Sequence, residues 1–347
     1  MKKWQRNLAA ALLFGFVCSF SGAAGAVSGG AQEDGGGERE LSAWVAYWDM
    51  DRGIREFNQA NESRSTYGSI SYFAAYFNDD QKLFIPEPLM KKQQDINGFA
   101  GTRYLTVVND VQGKKNAGAK FKDIGVVKKV LKNPKAQQKH ADDIVKLAQK
   151  AGCSGIDLDY ERVFRDKEAA KLYLQFIAVL YEKAQAEGLQ LRVILEPNVD
   201  FSVHKFPKGP QYVVMLYNLY GTHSGEGPKA DFAFIRKTAD KMKSLPGTPG
   251  IALAAGGCLW SSSGEKKFIS EQDALSLARR YKKVPERSLK SNALRFSYKD
   301  DAGIEYTVWY ADELTLTSWM NKAKDAGISD ICIWRLGGSG AAYTFAD

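Results

Sequence analysis

Gly155-Ile156-Asp157-Leu158-Asp159-Tyr160-Glu161 places a carboxylate at every second position of a short β-like run. Side chains of a strand alternate between faces, so Asp157, Asp159 and Glu161 share one face while Ile156, Leu158 and Tyr160 take the other. Three acids on one face of an apolar strand repel one another and lose solvation when buried, unless they exchange protons or hydrogen bonds. The competing reading is a surface strand with a solvated acidic face, and the flanks speak against it. Ala141, Ile144, Val145, Ala148 and Ala151 recur at helical spacing before the run, as do Leu172, Phe176, Val179, Leu180 and Ala184 after it. A strand between two such helices belongs to a βαβ series, in which acids survive mainly at the carboxyl ends of strands.

Working outward, apolar strand-like runs alternate with amphipathic segments along most of the chain. They are Ala43 to Trp48, Ser69 to Phe77, Arg103 to Val108 (closed by Asn109-Asp110), the acidic run itself, Leu191 to Leu195 (closed by Glu196-Pro197), Tyr212 to Tyr217, Ile251 to Ala255 and Asp330 to Trp334. This order predicts the α/β class and a (β/α)8 TIM barrel over residues 41–347. A small β-hairpin insertion is expected between strands 7 and 8, pairing Leu294 to Tyr298 with Ile304 to Tyr310 across a turn at Gly303.

Ahead of the barrel, Lys2, Lys3 and Arg6, the apolar stretch Leu8 to Phe20 and the small residues Ala24-Gly25-Ala26 read as a signal peptide over 1–26. Residues 27–40 are Gly- and charge-rich and read as a flexible leader. The expected product is secreted, extracellular or associated with the cell wall, monomeric, and without a stable membrane anchor. A formal charge of +8 is a mild bias compatible with anionic wall polymer and equally with solvated helix faces. No cluster of Lys and Arg interleaved with aromatics suggests nucleic-acid binding. Cys153, Cys258 and Cys332 sit in apolar runs and read as buried thiols. His140, His204 and His223 lack paired-ligand spacing, and there is neither a phosphate loop nor a serine nucleophile elbow, so no metal and no cofactor are expected.

In a barrel of this type the site lies at the carboxyl ends of the strands, where the acidic run terminates and a carboxyl can serve as a general acid. Glu161, last in the acidic run and nearest the barrel mouth, is the candidate acid, with neighbouring Asp anions favouring its protonated form. Extended by one residue, the run Ser154 to Glu161 resembles the D-G-x-D-x-D-x-E signature of glycoside hydrolase family 18, the chitinase family, with Ser154 where the first Asp usually stands. Met215-Leu216-Tyr217-Asn218 resembles the M-x-Y-D of the same family, with Asn218 for Asp. The stretches Tyr298 to Asp312 and Ile333 to Gly338 resemble its bacterial branch of spore-cortex and cell-wall hydrolases.

The resemblance implies a retaining hydrolase that cleaves β-1,4 bonds of N-acetylglucosamine-containing polysaccharide or oligosaccharide, chitin-like or peptidoglycan, by a substrate-assisted mechanism. In that scheme Asp159 holds the acetamido N–H and stabilises an oxazolinium, and Asp157, deeper in the barrel, shares a proton with Asp159. Tyr217 binds the acetamido oxygen, Trp334 lies under the sugar, and Asn218 contacts substrate. Tyr47, Trp48 and Tyr72 are weaker candidates for lining the cleft, and Trp260, Trp309 and Tyr310 for its far side. Glu196 stands at a strand end, as a substrate contact or a scaffold hydrogen-bonding group. The alternative is a non-catalytic glycan-binding lectin of the same family, against which the retained Glu161 argues.

Overall fold

The computed structural model describes residues 41–64, 66–92, 99–113, 118–343 and 345. The predicted signal peptide and leader lie outside the described residues. Eight parallel strands form the barrel: β1 (Leu41–Ala46), β2 (Ser69–Phe77), β3 (Thr102–Gln112), β4 (Gly155–Asp159), β5 (Gln190–Leu195), β6 (Gln211–Met215), β7 (Gly250–Ala254) and β8 (Ile331–Trp334). Each pairs with the next, β2 with β3 through Ser69↔Thr102 and β8 back onto β1 through Cys332↔Ser42, so the sheet closes on itself. The predicted strands are all present. The largest shift is in β3, which runs on to Gln112 because Val111 and Gln112 pair antiparallel with Lys120 and Ala119.

Period-2 alternation sorts the strand residues. Trp44, Ile194, Val213, Met215, Ala252 and Cys332 fill the barrel interior, with Phe73, Tyr217 and Trp334 packed against them. Val45, Ile156, Leu158, Val193, Val214 and Ile333 point outward and join Ile144, Phe176, Leu180, Ile235, Leu316 and Trp319 of the helices in one continuous core. The helix before β4, Pro134–Lys150, starts where Asn133 accepts from the Ala136 N–H and Pro134 needs no donor; the helix after it, Lys167–Ala186, is capped by Asp166 accepting from the Ala169 N–H. His140 is spent on this packing: its Nε2 lies 2.6 Å from the Tyr160 hydroxyl, and burial pushes its pKa down to about 3.

The insertion between β7 and β8 is larger than the expected hairpin. Leu294–Lys299 and Glu305–Ala311 pair as predicted, but they belong to a five-stranded antiparallel sheet with Gly256–Ser261, Lys266–Ile269 and Glu286–Arg287. The helix Glu271–Arg280 packs on this sheet around Leu259, Ile269, Ala274, Phe296, Val308 and Tyr310. Two glycines hide the sheet from a propensity reading. A Cβ on Gly257 would sit 1.8 Å from the Trp309 carbonyl oxygen, and Gly256 has φ +65°, so only glycine lets the chain leave β7 and pair again at once. Lys266–Ile269 is short and mostly exposed, with the charged pattern of a loop. Cys153, Cys258 and Cys332 are free and buried. Among the described residues, no helix is long and apolar enough to cross a membrane.

Candidate active site

Inside the barrel Asp157 and Asp159 point to the axis from β4, and Glu161 follows just past the strand's end. Asp157 is fully buried. Both its oxygens are taken by Arg192 of β5, directly opposite in register: Nε donates to Oδ1 at 2.7 Å and Nη2 to Oδ2 at 3.0 Å. The guanidinium also donates to Ser42 Oγ at 3.0 Å and Ser71 Oγ at 2.6 Å, and lies 3.8 Å from the centroid of the Tyr104 ring. Tyr104 in turn donates its hydroxyl to Gln190. Asp157, for which the resemblance implies a proton shared with Asp159, is thus held from its deep side by Arg192. Arg192 escaped the sequence reading because a lone Arg in Leu191 to Leu195 looks like an edge residue, and only closure of the barrel turns it inward.

Asp159 lies nearer the mouth, and its Oδ1 is buried without a hydrogen-bond partner among the described residues. Burial holds its pKa well above the usual carboxylate range, with the Glu161 charge adding to the rise and Lys122 opposing it. Glu161 is raised too, first by burial, against the pull of Lys122, whose Nζ is paired with Glu161 Oε2. The Glu161 charge thus opposes ionisation of Asp159, while Glu196 and Asp110 add to the rise at Glu161. Asn109, at the mouth end of β3, holds the Glu161 backbone by both groups: its Nδ2 donates to the Glu161 carbonyl at 3.1 Å and its Oδ1 accepts from the Glu161 N–H at 2.9 Å. Asp110 accepts from the Lys122 N–H at 2.7 Å and so places the lysine. The strand-end pair Asn109-Asp110 was visible in the sequence, but its reach to residues 161 and 122 is set by tertiary structure.

Beside the acids, Tyr217 and Trp334 stack with ring planes 14° apart and centroids 6.4 Å apart. Burial pushes the Tyr217 hydroxyl well up, with the Asp159 charge next in effect, so it remains a proton donor across the working range of pH. Trp334 meets Phe73 edge-on at 4.7 Å, and Phe73 meets Trp48 at 5.8 Å, so aromatic rings continue from the barrel centre to an indole that is 52% exposed. Tyr47 packs edge-on against both Trp48 and Tyr76. Tyr72 does not join them: on β2 it has the outward parity, is fully buried, and packs in the core between barrel and helices. Phe73, its neighbour, takes the inward place. Asn218 is half-buried after β6. Glu196 has a scaffold role, since its Oε2 accepts from the Arg162 N–H at 2.7 Å at the turn after Glu161. Tyr310 is buried in the insertion's own core, and Trp260 is buried on the opposite face of that sheet. Ser154 accepts from the Arg103 N–H at 3.2 Å and contributes no charge at the base of β4. Among the described residues, no group of three or more His, Cys, Asp or Glu could hold a metal ion.

Comparison with known proteins adds sequence relationships to this geometry. The model of the glycosyl hydrolases family 18 matches residues 43–338. An uncharacterized glycosylase, YvbX, of Bacillus subtilis is 25% identical over 301 residues, covering 80% of this chain and 86% of that protein. Among solved structures, the Bacillus cereus spore cortex-lytic enzyme SleL superposes with a TM-score of 0.72 at 19% identity, covering 88% of this chain and 72% of that one. A chitinase from Chromobacterium violaceum superposes with a TM-score of 0.72 at 18% identity, covering 88% and 97%.

Proposed function

The chain belongs to glycosyl hydrolases family 18, and on that premise we propose that it is an exported, retaining hydrolase. It cuts the β-1,4 bond after an N-acetylated aminosugar in chitin-like or peptidoglycan-like glycan. Glu161 gives its proton to the glycosidic oxygen as the bond to the anomeric carbon breaks. The acetamido carbonyl oxygen of the same sugar attacks that carbon from the other face, forming an oxazolinium. Asp159 accepts a hydrogen bond from the acetamido N–H through the oxygen that has no partner among the described residues, and so stabilises the positive charge. Tyr217 donates to the acetamido group, and Trp334 offers its indole face to the C–H surface of the pyranose. Water then adds at the anomeric carbon, returning a proton to Glu161 and leaving the β-configuration.

The observation that carries this reading is the buried Asp159 Oδ1, without a hydrogen-bond partner among the described residues, beside Glu161 in a site where burial and like charges raise both carboxyls. The cortex-lytic and chitinase likenesses name two substrates with the required acetamido group. The test is hydrolysis of a chitooligosaccharide and of peptide-free peptidoglycan glycan in parallel, with Glu161→Gln as control and products read by mass spectrometry. Cleavage of either that disappears in the control supports the reading, and the glycan cut names the target. Binding of a glycan by both proteins without cleavage would establish the lectin alternative.

A further inference from the structure

We propose that Lys122 recognises an anionic group on the leaving-group sugar, so that the preferred glycan carries a carboxylate on O3 of the residue released by Glu161, as N-acetylmuramic acid does in peptidoglycan. The inference rests on the hydrolase reading and deepens it, because chitin and peptidoglycan glycan differ at that substituent.

The Lys122 Nζ is bonded to Glu161 Oε2. An ammonium held against the candidate acid stabilises its carboxylate, whereas the reaction consumes the protonated carboxyl. The pair as it stands therefore weakens the acid, and release of Lys122 restores it. That release is easy. The Lys122 side chain is 35% exposed, so it can swing onto a ligand without stranding a buried cation. Burial then favours the neutral form of Glu161 once the ammonium has gone. The backbone beneath the lysine stays fixed while its side chain moves: Asp110 accepts from the Lys122 N–H at 2.7 Å, and the Asp123 N–H donates to the Asn109 carbonyl at 2.9 Å. Asn109 also holds the Glu161 backbone, so acid and lysine hang from the same two residues of β3.

Position and charge identify the group that draws Lys122 away. Glu161 has to reach the glycosidic oxygen, which is O4 of the leaving sugar in a β-1,4 glycan. O3 is the vicinal oxygen on the same ring, so a cation bonded to Glu161 stands beside whatever O3 carries. In chitin that is a hydroxyl, which brings no charge. In muramic acid it is a lactyl ether ending in a carboxylate, which can take the ammonium in exchange for Glu161. The exchange balances: the ion pair moves from Glu161 to the glycan, and Glu161 takes up one proton from solvent. A second cation, the exposed Arg162, follows the acid in the chain and lies in the field of Asp110. Glu196, the other acid on this side, is engaged by the Arg162 N–H at 2.7 Å and by Arg165 Nη2 at 3.9 Å.

The test compares kcat/KM of the full chain on two tetrasaccharides of alternating N-acetylglucosamine and N-acetylmuramic acid, one with free lactyl carboxylates and one with their methyl esters. Wild type, Lys122→Met and Lys122→Arg are assayed, with products read by mass spectrometry. Wild type should favour the free acid by about tenfold or more, as one charge-assisted contact warrants. Lys122→Met should bring the two substrates to within about threefold of each other, and Lys122→Arg should keep the preference. Equal ratios in wild type and Lys122→Met would overturn the proposal and leave the hydrolase reading intact. So would products with muramic acid at the new reducing end, which place the lactyl group on the other side of the scissile bond. If the wild type cuts neither glycan, the hydrolase reading fails, and Kd values for the same two glycans by calorimetry carry the test. A free-acid preference lost in Lys122→Met then supports Lys122 as the anion contact, and an unchanged preference overturns it.

Discussion

Replacing Asn109 by Ala would release the backbone of the candidate acid without touching its side chain. Asn109 makes two hydrogen bonds to Glu161, at 2.9 and 3.1 Å, and a longer one to the Asp123 carbonyl at 3.4 Å. Asn109 is buried, so no water readily replaces the lost partners of the Glu161 N–H and C=O. At about 1 kcal/mol for each good hydrogen bond, and about 1–3 kcal/mol for a buried group left unsatisfied, the cost is about 2–4 kcal/mol. In a domain of about 300 residues, at about 2.1 cal/mol/K of unfolding entropy per residue, that is a fall in Tm of about 3–6 °C. Because a misplacement of about 1 Å in a reacting group costs about a hundredfold, kcat should fall about 30- to 300-fold with little change in KM. Calorimetry and steady-state kinetics on a chitooligosaccharide measure both. An Asn109→Ala protein with wild-type Tm and kcat would refute the claim that this side chain positions Glu161.

Three further outcomes follow from the same network. Lys122 lowers the Glu161 pKa by charge and hydrogen bond, so Lys122→Met should move the basic limb of kcat, set by loss of the Glu161 proton, to higher pH; a basic limb that stays or falls would contradict the pairing. Glu161 has a raised folded-state pKa, so its contribution to stability is present below the unfolded-state value and is lost as pH rises through the folded one. Glu161→Gln should accordingly gain Tm relative to wild type at pH 8 and gain less at pH 4, as read by thermal scans, and an equal gain at both would count against a strained acid. Asp312 caps the helix Glu313–Asp325 by accepting from the Thr315 N–H at 2.9 Å, and ties the insertion down by accepting from Arg287 Nη2 at 2.6 Å. Asp312→Ala should cost about 2–3 kcal/mol, seen as a lower denaturant midpoint, and an unchanged midpoint would remove the anchor.

The barrel was legible because each of its strands carries a local signal. Ile156 and Leu158 alternate with acids, Val45 and Ile333 sit in apolar runs, and the helix before β4 announces itself through Ala141, Ile144 and Val145. The insertion was half legible: the hairpin at 294–311 has strong alternation, whereas Gly256-Gly257 and Lys266–Ile269 pair for reasons that lie in the partner strand. At the site, Tyr217 stacks on Trp334 and lies within the field of Asp159 and Glu161. Tyr72 takes no part, because a single step in strand parity separates it from the inward Phe73. Arg192 and Lys122 left no local mark, and Asn109 only its place at a strand end. Their importance comes from residues 35, 39 and 52 positions away in the chain, which no short pattern can bring together.

In the proposed reaction Glu161 and the substrate's own acetamido group perform the cleavage. Proton NMR of chitotetraose hydrolysis, begun within the first minutes, tests it most directly, with Glu161→Gln and a fully de-N-acetylated tetramer run beside it. The wild type should release β-anomeric product from chitotetraose alone, and Glu161→Gln should release none. Release of α-anomer first, cleavage of the de-N-acetylated tetramer at a comparable rate, or undiminished cleavage by Glu161→Gln would contradict it.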